Sequence, residues 1–231
     1  MKRNLSTLKS ILLVLGLATG CQAAPPAGVR LIAHRGGIVD PRYSENSPAS
    51  LEAAVAKGYW GIESDIRETK DHVVITNHDA NFFRFYGDKR HVGEVTIEEV
   101  RALKANPGGT APMTFAELAD ACKGRLHLML DIKEPEHDGA FYQEIEKQLR
   151  RTNLLDSTYI IGIGQGQRYF KGKARVNVKL KQLQEAVARG EDVSQLYFLF
   201  EWGKDHHARG SSLRAGTQGG RGADGEHVPL R

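Results

Sequence analysis

Two cysteines are all that 231 residues contain, and Cys21 falls in an amino-terminal segment expected to be lipidated or removed. Cys122 is then left alone, which excludes a disulfide framework even in an oxidising compartment. Long apolar runs are missing too: ILLVLGLA, from Ile11 to Ala18, is too short to span a bilayer comfortably. No internal repeat is visible, so a solenoid or propeller is not indicated. Excess charge of one sign is also lacking. Lys2, Arg3 and Lys9 account for three of the net +4, leaving +1 for the remainder, and a nucleic-acid partner is not advertised.

What is there begins with an export signal. A positive start, a short apolar core and small residues before Cys21 mark residues 1–20 as a secretory signal. ATGC (Ala18 to Cys21) resembles a bacterial lipobox, with Ala18 where leucine is usual. The expectation is a lipoprotein anchored to a membrane through Cys21, with residues 21–28 as a tether; ordinary cleavage within GCQAAPP would leave a periplasmic or secreted protein.

From residue 29, strand-like runs recur at 29–36, 61–69, 72–79, 126–133, 158–163, 174–180 and 195–200. Amphipathic helical patterns separate most of them. SPASLEAAVAKG has Ser47 as its cap, Pro48 at the first helical position and Gly58 as terminator. Alternating strands and helices predict a parallel sheet, and seven strands at this length favour a (β/α)8 barrel of the TIM type over residues 29–204. The stretch from about Asp205 to Arg231 is rich in Gly, Arg, Ser and His and cannot supply a buried strand. It is read as an irregular tail where the eighth strand is missing, as after a reading-frame change; the alternative is a flexible interaction tail.

Barrel active sites lie at the carboxyl ends of the strands. There the sequence places His34, Arg35, Gly36 and Gly37 after the first run, and Glu63 and Asp65 in the second. His78 and Asp79 follow the third, and Asp131 and Lys133 end the fourth. Alternation puts Glu63 and Asp65 on one face, about 7 Å apart, where they repel unless a positive charge sits between them. Each feature alone has an ordinary structural explanation, but together they point to phosphate-ester cleavage. Glu63, Asp65 and Asp131 offer hard oxygens suited to Ca²⁺ or Mg²⁺ rather than zinc. Arg35 and Lys133 suit a phosphate, and two histidines from different strands suit an acid–base pair.

IAHRGG (32–37), SENSPASLEAA (44–54), GIESDIRETKD (61–71), NHD (77–79) and LDIK (130–133) resemble, in order and spacing, the glycerophosphodiester phosphodiesterases. That resemblance implies a barrel of the phospholipase-C-like type with a small helical insertion between about Asn81 and Gly124. It implies His34 and His78 as the catalytic pair, Glu63, Asp65 and Asp131 as ligands of one divalent cation, and Arg35 and Lys133 as substrate contacts. Glu45 and Asn46 match the family's glutamate–asparagine pair and are read as ordering the loop beside the metal. Asp131 stands where the family commonly has glutamate, one methylene longer, and Ser44 where proline is common.

The implied reaction converts a small glycerophosphodiester to glycerol 3-phosphate and an alcohol. The rivals are a phospholipase attacking intact phosphoinositides or sphingolipids, and a non-catalytic surface lipoprotein. Lys171, Lys173, Arg175, Lys179 and Lys181 read as a solvated basic face, and Tyr197, Phe198 and Phe200 as core, with Trp202 near the barrel mouth.

Overall fold

The computed structural model describes residues 29–37, 41–133, 137–162 and 164–199. Cys21, the export segment, Phe200, Trp202 and the stretch from Asp205 onward lie outside the described residues, as does the expected gap at an eighth strand. Among the described residues no helix is long and apolar enough to cross a membrane.

The strands are β1 (Ile32–Ala33), β2 (Gly61–Glu68), β3 (Val74–Thr76), β4 (Asn81–Phe82), β5 (Asp88–His91), β6 (His127–Ile132), β7 (Tyr159–Ile161), β8 (Arg175–Asn177) and β9 (Leu196–Tyr197). The α-helices are α1 (Pro48–Ala56), α2 (Phe83–Tyr86), α3 (Ile97–Ala102), α4 (Phe115–Cys122), α5 (Gly139–Arg151), α6 (Gln165–Phe170) and α7 (Leu180–Ala188). Six strands form a parallel barrel wall in the order β1-β2-β6-β7-β8-β9.

Alternation decides the two faces of that wall. Ile62, Ser64 and Ile66 of β2 lie level with Leu128, Leu130 and Ile132 of β6, and the row continues through Ile160, Val176 and Leu196. This outward face packs under the helices, against Leu51 and Ala54 of α1, Phe115 and Leu118 of α4, Phe141, Ile145 and Leu149 of α5, and Phe170 of α6. Each such Leu, Ile, Val or Phe side chain, once fully buried, contributes about 1.5–3 kcal/mol. The opposite register row comprises Glu63, Asp65, Met129, Asp131, Tyr159, Ile161, Arg175, Asn177 and Tyr197, on the side of the barrel interior. Tyr197 therefore faces the interior rather than the helix-packed core, and Phe198 is half exposed.

The helices begin where the caps say they should. Ser47, Thr96 and Thr114 cap α1, α3 and α4 with their hydroxyls, and Asp138 caps α5 with its carboxylate. Helix α6 carries no such side-chain cap and was not evident from periodicity.

The run at 72–79 is not a parallel strand. It forms β3, antiparallel to β2, with Ile66 opposite Thr76 and Glu68 opposite Val74. The physical reason is the length of the connection: a parallel crossover needs a dozen or more residues, whereas the few residues around Asp71 suffice only for a hairpin. The insertion also differs from expectation. It contains a two-stranded antiparallel sheet, β4–β5, besides α2 and α3, and its own apolar cluster of Phe82, Val92, Val95 and Val100 gathered on Ile75 of β3. Helix α4 belongs instead to the barrel layer, with Phe115, Leu118, Ala119 and Cys122 buried.

Candidate active site

The chain leaves β1 through a tight turn that only a special backbone can make. Arg35 sits in the left-handed region at φ 53°, and Gly36 and Gly37 follow at 66° and 102°. A Cβ on Gly36 would lie 2.7 Å from the Asn46 Cα, and one on Gly37 2.6 Å from the Ser50 carbonyl oxygen, so the glycines let this turn press onto the loop before α1. The turn is held from both sides. The Arg35 N–H donates to Glu63 Oε2 at 2.8 Å, and the Arg35 carbonyl accepts from the Asn46 N–H at 2.7 Å.

Glu63, Asp65 and Asp131 converge as the alternation predicts. One oxygen from each lies within 4.8 Å of the others, and Glu63 and Asp65 are buried. Burial, and after it the negative charge of Asp65, push the Glu63 carboxyl up to about 7, against the Arg35 N–H that favours its ionised form. The positive charge that this cluster demands comes from Lys133, whose Nζ lies 2.8 Å from Asp65 Oδ1 and 2.7 Å from Asp131 Oδ2. Burial alone would lower Lys133, but the hydrogen bonds to Asp131 and Asp65 outweigh it and hold the ammonium above its ordinary value. Three convergent carboxylates, two of them buried and with one lysine only partly offsetting their charge, are an oxygen-only donor set that fits a hard divalent cation.

The loop of Glu45 and Asn46 orders this cluster from behind. Asn46 donates from Nδ2 to Asp65 Oδ2 at 3.0 Å and accepts from the Ser64 hydroxyl at 2.7 Å. Its carbonyl accepts from the Thr76 hydroxyl at 3.1 Å, so one buried residue joins β2, β3 and the β1 turn. Glu45, also buried, accepts from Arg35 Nη1 at 3.2 Å. Arg35 thus has its guanidinium on Glu45 and its N–H on Glu63.

The hairpin, not a third barrel strand, brings in His78. Its carbonyl accepts from the buried Arg67 guanidinium at 2.8 Å, and its Nδ1 lies 2.7 Å from Asp79 Oδ1. Arg84 of α2 then grips Asp79, from Nε to Oδ2 at 2.7 Å and from Nη2 to Oδ1 at 2.9 Å. It also donates to Glu45 through Nη1 at 3.0 Å and through Nη2. The Arg84 hydrogen bond, and after it that of His78, hold Asp79 down to about 2 against the effect of burial. His34 stands beside the cluster, its side chain 69% exposed and its Nε2 3.6 Å from Glu63 Oε2.

All seven residues singled out in the sequence are therefore assembled at one mouth. Two more belong beside them. Arg67 shares the parity of Glu63 and Asp65, a signal legible in the alternation of β2. Arg84 had no such signal, because its place depends on how the insertion folds back.

Fold and site together define a parallel α/β barrel with a carboxylate cluster at its mouth, one histidine beside it and a second held on the adjoining hairpin. Residues 34–211 match the Glycerophosphoryl diester phosphodiesterase family, and the chain belongs to it. Glycerophosphodiester phosphodiesterase 1 of Mus musculus is 37% identical over 118 residues, 47% of this chain and 35% of that protein. Lysophospholipase D GDPD3 of Homo sapiens is 36% identical over 81 residues, 35% of this chain and 25% of that protein. The chain thus spans about a quarter to a third of the length of these relatives. The crystal structure of a glycerophosphodiester phosphodiesterase from Agrobacterium tumefaciens shares the fold, with a TM-score of 0.58 and 20% identity over 67% of this chain and 68% of that one.

Proposed function

We propose that the chain hydrolyses small glycerophosphodiesters to glycerol 3-phosphate and an alcohol, using His34 and His78 as an acid–base pair. The observation that carries this reading is the convergence of Glu63, Asp65 and Asp131 within 4.8 Å, with His34 3.6 Å from Glu63 and His78 held on Asp79. These carboxylates would hold one Ca²⁺ or Mg²⁺, which when bound supplies Lewis acidity at a phosphoryl oxygen.

The chain's own groups perform the rest. Arg35 and Lys133 meet the phosphate, the first as a planar donor and the second as a point charge. One histidine takes the proton of the neighbouring glycerol hydroxyl as its oxygen bonds to phosphorus. The other gives a proton to the departing alkoxide as the phosphorus–alcohol bond breaks. The cyclic phosphate is then opened by water with the two roles reversed. Asp79 on Nδ1 of His78 leaves Nε2 as the nitrogen that exchanges a proton.

The test is glycerol 3-phosphate release from glycerophosphocholine with Ca²⁺, with Mg²⁺ and with EDTA. Release that requires the cation supports the proposal, and a cooperatively melting protein that releases none sinks it. His34→Ala and His78→Ala should each lower kcat by about 10²–10⁴ while cation binding, followed calorimetrically, persists. Export and anchoring through Cys21 are a further part of the proposal, checked by the mass of the amino-terminal peptide before and after Cys21→Ser.

A further inference from the structure

The insertion meets the barrel mouth at Arg84, and nothing in the family motifs quoted above assigns that residue a role. We propose that Arg84 is a positioning residue, which fixes His78 through Asp79 and Arg35 through Glu45 and so sets the spacing across the mouth. The inference rests on the phosphodiesterase reading given above.

The geometry is a chain of five groups. Arg35 donates to Glu45, Glu45 accepts from Arg84, Arg84 grips Asp79 with two nitrogens, and Asp79 takes Nδ1 of His78. A guanidinium is suited to the central place because its planar fork holds two carboxylates through several nitrogens in fixed directions, where a lysine would offer a single nitrogen with no fixed plane. An exposed ion pair is weak and positions little. Here the Glu45 side chain is only 5% exposed, and it is shared between two arginines. The carboxylate of Asp79 stays ionised, hence a pure acceptor, and requires the proton on Nδ1 of His78.

The backing is firm. Asn77 donates from Nδ2 to the carbonyls of Asp79 at 2.7 Å and Asn81 at 3.2 Å, which fixes the turn between His78 and the insertion. Phe82, beside α2, is buried in the insertion's own cluster and meets Tyr86 edge-on at 5.9 Å. The Arg84 guanidinium lies over the Phe85 ring at 4.5 Å.

The experiment uses the full chain with Arg84→Ala, Arg84→Lys and, as control, Arg90→Ala, whose partners Asp88 and Glu99 both belong to the insertion's own elements. With glycerophosphocholine, Arg84→Ala should lower kcat about 30- to 100-fold and change KM less than about threefold. Arg84→Lys should recover part of the loss. Guanidinium ion at tens of millimolar should restore Arg84→Ala about tenfold, an effect that a loss of folding would not show. Arg90→Ala should match the parent protein. A readout free of turnover is the imidazole N–H of His78 by NMR, expected as a sheltered downfield signal that broadens in Arg84→Ala. Unchanged kcat in Arg84→Ala, or an unchanged imidazole signal, overturns the proposal. Absent turnover in the parent protein would defeat the phosphodiesterase reading, and the imidazole signal would still decide whether Arg84 orders His78.

Discussion

Asn46 holds a left-handed backbone at φ 54° and uses both ends of its amide inside the protein. Asparagine adopts that conformation more readily than most residues, so backbone and side chain demand the same residue type. Asn46→Ala should cost about 2–4 kcal/mol, from strain and from unsatisfied partners on Asp65 and Ser64. It should also weaken divalent-cation affinity about tenfold, since Asp65 loses the group that orients it. Asn46→Gly removes only the amide, so the stability loss should shrink while the affinity loss stays. Urea melts and titration calorimetry check both, and an unaltered affinity would make Asn46 a loop residue only. At this scale the sequence was informative: the shared face of Glu63 and Asp65 follows from strand parity, as does the need for a positive charge between carboxylates. That Lys133 would supply this charge, rather than await the substrate, depends on β2 and β6 lying level at Asp65 and Asp131, a register no single strand reveals.

Among the elements, the hairpin of β2 and β3 with its insertion carries the greatest consequence. His78, Asp79 and Arg84 all reach the mouth by this route, not on a barrel strand. The insertion has a small core of its own, joined to β3 at Ile75 and tied to the hairpin turn by the Lys70 N–H to the Val95 carbonyl at 3.0 Å. Phe82→Ala should remove about 3–5 kcal/mol of packing from that core. Hydrogen exchange should then quicken between about residues 82 and 103 while β2 and β6 stay protected, and kcat should fall with the loosened Arg84. Exchange quickening equally in β6 would mean that insertion and barrel are one cooperative unit. Helix α1 was legible because Ser47 announces its start, and α3, α4, α5 and α7 from their amphipathic spacing, whereas α6, without a side-chain cap, was not. The direction of β3 was missed: the run was counted among the parallel strands, although the brevity of its connection allows only a hairpin. The pairing of β4 with β5 was not legible, because Asp88–His91 has no apolar alternation and is held by its backbone and the cluster beneath it.

For the whole molecule the cluster of buried carboxylates ties stability to pH. Glu63 titrates near 7 in the fold against an ordinary 4.5, so without cation the folded state binds this proton more tightly than the unfolded chain. The stabilisation is fully present below about pH 4.5 and is lost as pH rises through 7, to the extent of about 3 kcal/mol. Asp79, held near 2, acts with the opposite sign and in a separate window: its contribution is present above its ordinary value of 3.8 and is lost as pH falls toward 2. In EDTA the melting temperature should therefore decline between pH 5 and 8. Saturating Ca²⁺ or Mg²⁺ should abolish or reverse the decline, because the cation binds the ionised carboxylates and only in the folded state. A flat profile in EDTA would show that Glu63 ionises without penalty.

The inner surface of the wall divides by strand. The proposed acid–base pair and cation ligands all come from the chain between His34 and Lys133, whereas among the described residues the inner row of β7, β8 and β9 offers Tyr159, Ile161, Arg175, Asn177 and Tyr197 level with Glu63 or Asp131. Heredity meets these halves differently. A substitution in the first puts the chemistry at stake, while one in the second recuts only the outline against which a leaving alcohol rests. A lineage of such barrels can thus explore new head groups by drift in its later strands while its reaction is handed down unchanged.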